Sequence, residues 1–303
     1  MDKRRLYDGV IGSAIGDALG VPAEFMSRSQ LERRPVTDMK DGGVWEQPVG
    51  TWSDDTSMML ATIDALNKHE WDVTDECLAD IMNNFLRWYL HGDYAACGKR
   101  FDIGNTCETA ICNWHRHTLK EDGFKFTGVQ GKACGNGALM RILPCMFLPN
   151  ETAVKISRLT HDNNICSACS VLYLEIIRYI IYNEVDKVEA LRLLREEHKD
   201  TEYYAPLLFM RLSVEDFINL KPSNINSSGY VIDTLEAAVW CFMTTDNYKD
   251  CVLKAVNLGD DTDTVAAVAG GLAGIYYGSD TIPKDWISKL RDIDKLKKIV
   301  FND

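Results

Sequence analysis

The 303-residue chain has almost no alternation of apolar and polar residues, no low-complexity stretch, no internal repeat and no basic tail. Each absence excludes something. Without alternation a β-sandwich or barrel has no pattern to form from, and helices must supply the fold. Without a linker or a shift in composition there is no domain boundary, so residues 1–303 read as one domain. The net charge is −12 and no cluster of Lys and Arg stands against it, so no nucleic-acid partner is expected. No run reaches the roughly 18 apolar residues that a membrane span needs, so no membrane partner is expected either. The ten cysteines are scattered and lie mostly inside apolar stretches, as buried thiols of a cytoplasmic protein do. The one CxxC, Cys166 to Cys169, has no second pair to complete a zinc site and sits in a helical pattern, which makes it core packing. The opening "MDKRRLYDGVIGSAIGDALG" has a basic start and an apolar middle. Asp8 and Asp17 interrupt it, and no small-residue cleavage site follows, so it reads as mature protein. A monomer is expected.

What is present is helical periodicity. Val10, Ile11, Ala14, Ile15, Ala18 and Leu19 form an apolar stripe. Gly12, Gly16 and Gly20 fall four apart, on one face, where they let another helix come close. The same period runs through 56–66, 75–90, 106–118, 152–162, 165–182, 186–197, 230–243 and 248–257. Breaks such as "LPNE" and "KPSN" punctuate it. The stretch 265–277 is apolar on every face. Too short for a bilayer, it predicts a helix buried on all sides at the centre of the domain. The fold class is therefore all-α, a single multi-helix domain.

Two acid clusters open core helices. "GDDTDT" places Asp260, Asp261 and Asp263 directly before the central run, and "SDDT" places Ser53, Asp54, Asp55 and Thr56 before residues 56–66. The plain reading is helix capping, because such residues accept hydrogen bonds from free backbone N–H groups and favour the dipole. Capping accounts for one or two acids at a helix start, not three in four residues. Crowded carboxylates in a poorly hydrated place repel, and one must take up a proton unless a cation intervenes. Oxygen ligands without nearby His or Cys suit Mg²⁺ or Mn²⁺. If the two helix starts meet, they can hold two ions. Neither cluster has the alternate acids, Gly and Glu of an EF-hand loop, nor the final acid of a DDxxD motif. "DTDTV" nearly fits the haloacid-dehalogenase motif but follows no strand.

Seven stretches in order, "GSAIGDALGVPAEF", "GTWSDDTSM", "FDIGNTC", "GNGALMRILP", "LTH", "GYVIDTLEAA" and "LGDDTDTVAAVAGGLAG", resemble the ADP-ribosylglycohydrolases over nearly the whole chain. The resemblance implies an all-α fold with a dinuclear Mg²⁺ or Mn²⁺ cleft. It implies Ser53, Asp54, Asp55, Asp261, Asp263 and Thr264 as metal ligands, with Asp263 bridging. Ser53 stands where the family often has Thr, and Asp260 where it often has Gly, so Asp260 is left to capping or support. Glu24 would be a mobile catalytic acid, with Asp55 also catalytic. Substrate contacts would come from Asp102, Gly135, Asn136, Gly137, His161 and Tyr230. Asp102 would bind a guanidinium, and backbone N–H groups of 135–137 would approach a diphosphate. For each of these a structural alternative stands beside the functional one: a turn, a satisfied histidine, a core aromatic. Asp17, on the apolar stripe, needs partners; a hydrogen-bond hub is preferred to orienting a ligand or a metal-bound water. The implied activity is hydrolysis of the N-glycosidic bond of ADP-ribosylated protein, the arginine linkage first, releasing ADP-ribose. ADP-ribosylserine and O-acetyl-ADP-ribose are the alternative substrates. A catalytically silent crystallin-like relative would have lost the acids, which are all present here. An acidic protein-binding scaffold would leave them without purpose.

Overall fold

Gly12, Gly16 and Gly20 bring two helices into backbone contact, and the other elements are arranged around that pair. The computed structural model describes residues 1–118, 125–132, 134–201 and 207–302. In chain order its helices are α1 (Lys3–Gly20), α2 (Arg28–Arg33), α3 (Asp54–Lys68), α4 (Asp75–His91), α5 (Asn105–Thr118), α6 (Asn150–Arg158), α7 (Asn164–Tyr182), α8 (Lys187–Glu197), α9 (Leu208–Arg211), α10 (Val214–Ile218), α11 (Val231–Met243), α12 (Tyr248–Val256), α13 (Thr262–Tyr277), α14 (Lys284–Lys289) and α15 (Ile293–Phe301). Two short strands, β1 (Val129–Gln130) and β2 (His161–Asp162), pair in parallel.

The four-residue glycine spacing does what the sequence predicts. A Cβ on Gly16 would stand 2.0 Å from the carbonyl oxygen of Ala266, and one on Gly12 would stand 2.3 Å from that of Gly270. α13 answers with its own small residues: a Cβ on Gly274 would stand 2.2 Å from the Asp8 carbonyl oxygen. Only glycine lets the two backbones come this close. Gly16→Ala should therefore cost about 3 kcal/mol, at the upper end of overpacking penalties, read as a lower midpoint in urea. An unchanged midpoint would mean that the helices stand apart.

The run 265–277 is the central helix. Every residue from Val265 to Ile275 is buried, and α13 touches α1, α3, α7, α11 and α12. Two expectations need correction. Residues 159–162 do not continue the helix, which ends at Arg158; the Val129 N–H takes the Thr160 carbonyl and draws the chain into β2. In addition, α7 is long and apolar enough to cross a membrane by length and composition, with 19 residues and a mean hydropathy of 1.5. Two thirds of it (67%) is buried in the protein. Its breaks in apolarity are satisfied internally: Arg178 donates to the carbonyls of Cys145, Met146 and Leu148, and Glu175 accepts from Asn150. α7 reads as a core helix. Cys166 and Cys169 are buried in it, as expected.

Candidate metal centre

The carboxyl end of α1 is where the two acid clusters meet. Asp17 is fully buried there and accepts three hydrogen bonds from the start of α3: Ser53 N–H at 2.9 Å, Thr56 N–H at 3.1 Å and Thr56 Oγ1 at 2.6 Å. It is the hydrogen-bond hub preferred from sequence, and it caps α3 from a neighbouring helix. Three residues on, a Cβ on Gly20 would stand 2.3 Å from Cα of Asp263, and Thr262 Oγ1 donates to the Gly20 carbonyl at 2.7 Å. One helix thus fixes the start of α3 and the start of α13. Thr264 Oγ1 then reaches Asp55 Oδ2 at 3.4 Å, closing a gap of 209 positions in sequence. Ser53 Oγ donates to the same oxygen at 3.0 Å.

Capping accounts for Ser53, whose Oγ accepts from the Asp55 N–H at 3.3 Å, but not for the cluster before α13. Asp261, the residue before α13, makes no side-chain cap; its Oδ2 accepts from Asn136 Nδ2 at 2.8 Å. Asp260 is exposed, in a left-handed conformation (φ 61°), and its backbone pairs with Phe25 and Met26. Glycine would adopt that left-handed geometry at less cost. Asp54, Asp55 and Asp263 are buried, and desolvation followed by the neighbouring carboxylates holds all three well above the usual carboxylate range. Burial also raises Asp17 to about 6, against the pull of its hydrogen bonds. Asp55 Oδ1 is buried with no hydrogen-bond partner. A buried anionic oxygen left unpaired is costly. Together with a donor set made only of oxygens, it fits hard divalent cations. Carboxylate oxygens of Glu24, Asp102 and Asp263 also lie within 4.8 Å of one another.

These groups form one side of a cleft of about 400 Å³. Asp54, Asp261 and Thr264 line it, with Ser53, Asp55 and Asp263 packed behind. Glu24 and Asp102 line it too. Burial, then Asp102, raises Glu24 to about 8; burial, then Asp261, raises Asp102 to about 6. Gly135, Asn136, Gly137 and His161 also line the cleft, and the Asn136 amide touches Asp261 directly. Gly137 answers to packing: a Cβ on it would stand 2.6 Å from Cys107 Sγ and 3.0 Å from His161 Cε1. The expectation that all three N–H groups face a ligand is corrected at Asn136. Its N–H donates to the Gly229 carbonyl, and its amide serves Thr234 and Asp261. Tyr230 is bridged to Gly135 through the backbone, 39% exposed, and stands at the rim without lining the cleft.

Sequence reasoning missed Trp45. Its indole N–H donates to Glu24 Oε2, and its ring lies 6.4 Å from Phe25 and 6.0 Å from Phe101, so an aromatic rim runs past both acids. A single Trp in a Gly-rich turn gave no periodic signal to find it by.

An all-α scaffold that gathers buried carboxylates at the wall of a polar cleft, fit for hard cations, is the class of protein this geometry defines. The chain belongs to the ADP-ribosylglycohydrolase family, whose model matches residues 2–302. It is 33% identical to the ADP-ribosylarginine hydrolase Tri1 of Pseudomonas putida (strain GB-1), over 98% of this chain and 78% of that one. It is 31% identical to the ADP-ribosyl-[dinitrogen reductase] glycohydrolase of Rhodospirillum rubrum, over 94% and 90% of the two chains. Among solved structures, a chain of an ADP-ribosylglycohydrolase-related protein complex superposes with a TM-score of 0.79 at 28% identity, covering 98% of this chain and 96% of that one.

Proposed function

We propose that the protein removes ADP-ribose from arginine side chains of ADP-ribosylated proteins by hydrolysing the N-glycosidic bond. The observation that carries this reading is the buried, under-bonded acid centre that shares one cleft with Gly135, Gly137 and His161. One relative named for ADP-ribosylarginine and another named for an ADP-ribosylated protein support it. Ser53, Asp54, Asp55, Asp261, Asp263 and Thr264 would hold two Mg²⁺ or Mn²⁺ ions. Bound ions of this kind neutralise the carboxylates and make a coordinated water more acidic.

The protein's own groups supply the rest. Asp17 holds the start of α3 in place, and Asn136 orients Asp261. Glu24, tethered by Trp45, would take a proton from water in the cleft; burial raises it to about 8 without metal, so its carboxylate form at neutral pH would depend on the bound cations. Asp102 lies beside the aromatic rim, and a carboxylate next to aromatic faces is a place for a guanidinium. This favours the arginine linkage over the O-glycosidic serine linkage and the ester of O-acetyl-ADP-ribose, whose leaving groups carry no planar cation. A cytoplasmic monomer belongs to the same proposal; there is no disulfide among the described residues, which suits a reducing compartment. A panel of ADP-ribosyl-arginine, ADP-ribosyl-serine and O-acetyl-ADP-ribose, assayed with Mg²⁺ and with Mn²⁺, tests the proposal. The arginine compound should be cleaved fastest, and preference for either other substrate would overturn the assignment.

A further inference from the structure

The reading so far leaves Arg141 without a purpose. Its side chain is fully buried, with the guanidinium 4.9 Å from the ring centroid of Phe85. No ion pair with it is found among the described residues, and its Nε and Nη1 have no hydrogen-bond partner. A buried charge held this way is expensive to keep. What it does hold is a chain of contacts leading to the cleft. Nη2 donates to the Ile156 carbonyl at 3.2 Å and to Thr160 Oγ1 at 2.8 Å, and Thr160 Oγ1 lies 2.9 Å from Nδ1 of His161.

The polarity of that chain follows from proton counting. A guanidinium only donates, so the Thr160 oxygen accepts from Arg141. The hydroxyl has one proton, and the imidazole Nδ1 is the acceptor beside it. Cys107 also faces Thr160, but burial pushes its thiol up to about 12, so it stays protonated and competes weakly as an acceptor. With the thiol a weak acceptor, the arrangement favours a bare Nδ1 and the ring proton on Nε2. Nε2 is on the cleft side: a Cβ on Gly135 would stand 3.4 Å from it, and His161 lines the cavity.

We propose that Arg141 and Thr160 are positioning residues that lock His161 in the Nε2–H form, so that the imidazole presents one fixed, neutral donor to an acceptor oxygen of the ADP-ribosyl group. The identity of the bound group rests on the function proposed above; the locked tautomer does not. Burial, and then the Arg141 charge, oppose a second proton and hold His161 down to about 3. His161 thus binds and does no acid–base work at neutral pH.

The test is ¹⁵N NMR of the histidines in the full chain without substrate, with His161→Gln used to assign the signal, alongside steady-state kinetics. Wild type should show Nε2–H and bare Nδ1, unchanged from pH 5 to pH 8. Thr160→Val keeps the shape and removes the hydroxyl. It should release the ring into a mixture of tautomers and raise KM about tenfold with kcat within about twofold, the loss of one hydrogen bond's worth of binding. Thr160→Ser should restore both readouts, and Arg141→Met should copy Thr160→Val. An Nδ1–H signal in wild type, a tautomer unmoved in Thr160→Val, or a fall in kcat at constant KM would each overturn the proposal. If Thr160→Val does not fold, the wild-type spectrum decides alone. If no ADP-ribosyl compound is cleaved at all, the function is wrong while the spectrum still decides the tautomer.

Discussion

Exhaustive chelation should stop turnover, by about a thousandfold or more, and Mg²⁺ or Mn²⁺ should restore it; this is the size expected when several kcal/mol of charge stabilisation leaves the transition state. Activity that survives chelation would end the two-ion account. A second readout separates the site from the chemistry. Folded, the metal-free protein keeps protons on acids that the unfolded chain releases near pH 4. Asp17 and Asp102 are raised to about 6 and Glu24 to about 8. Their contribution to stability is whole below the unfolded value and is lost as pH rises through 6 and then 8. Cations remove that penalty and compete with protons for the same oxygens. The melting temperatures with and without metal should therefore diverge between pH 5 and pH 8, by roughly 5–10 °C at ion concentrations near a hundred times Kd. A gap that narrows with rising pH would contradict the burial of these acids.

Asp261→Asn should abolish activity without harming the fold. Asp261 caps nothing, and its Oδ2 accepts one bond from Asn136. Asparagine keeps the shape and removes one charge from a group of mutually repelling acids. We expect kcat to fall by about 10³-fold, comparable to losing a main electrostatic element of an active site. The helical circular dichroism should be unchanged, and the metal-free melting temperature should hold or rise. The metal-induced rise in melting temperature should shrink. A variant that is more stable yet inactive is the usual mark of a site that trades stability for chemistry. If the variant instead loses helix, Asp261 was capping α13 after all.

The two predictions also show which parts of the site can be read from sequence. Clustered acids ahead of core helices are a local signal, and they converge as the crowding of carboxylates required. Glycines four apart told of a close helix because small residues on one face have few other uses there. Long-range partners leave no such trace. Nothing in "DGGVWEQ" says that its Trp reaches Glu24, and nothing in "GNGALMR" says that Arg141 reaches Thr160 and, through it, His161. Gly137 was visible, but its reason was not: an imidazole and a thiol occupy the space a side chain would need. α15 was missed although Ile293, Leu296 and Val300 keep a helical spacing, because the segment is only nine residues long and four of them are charged.

The seam between α1 and α13 bears on how the protein is made. The first helix ends at Gly20 and its companion begins at Thr262, so during translation the amino-terminal stripe must wait roughly 10–50 s for the segment that covers it, at ordinary elongation speeds. Until then a ribosome carries an exposed apolar helix and half of an acid cluster, a natural client for chaperones. Fragments that stop before the last acids would gain neither the seam nor any enzyme.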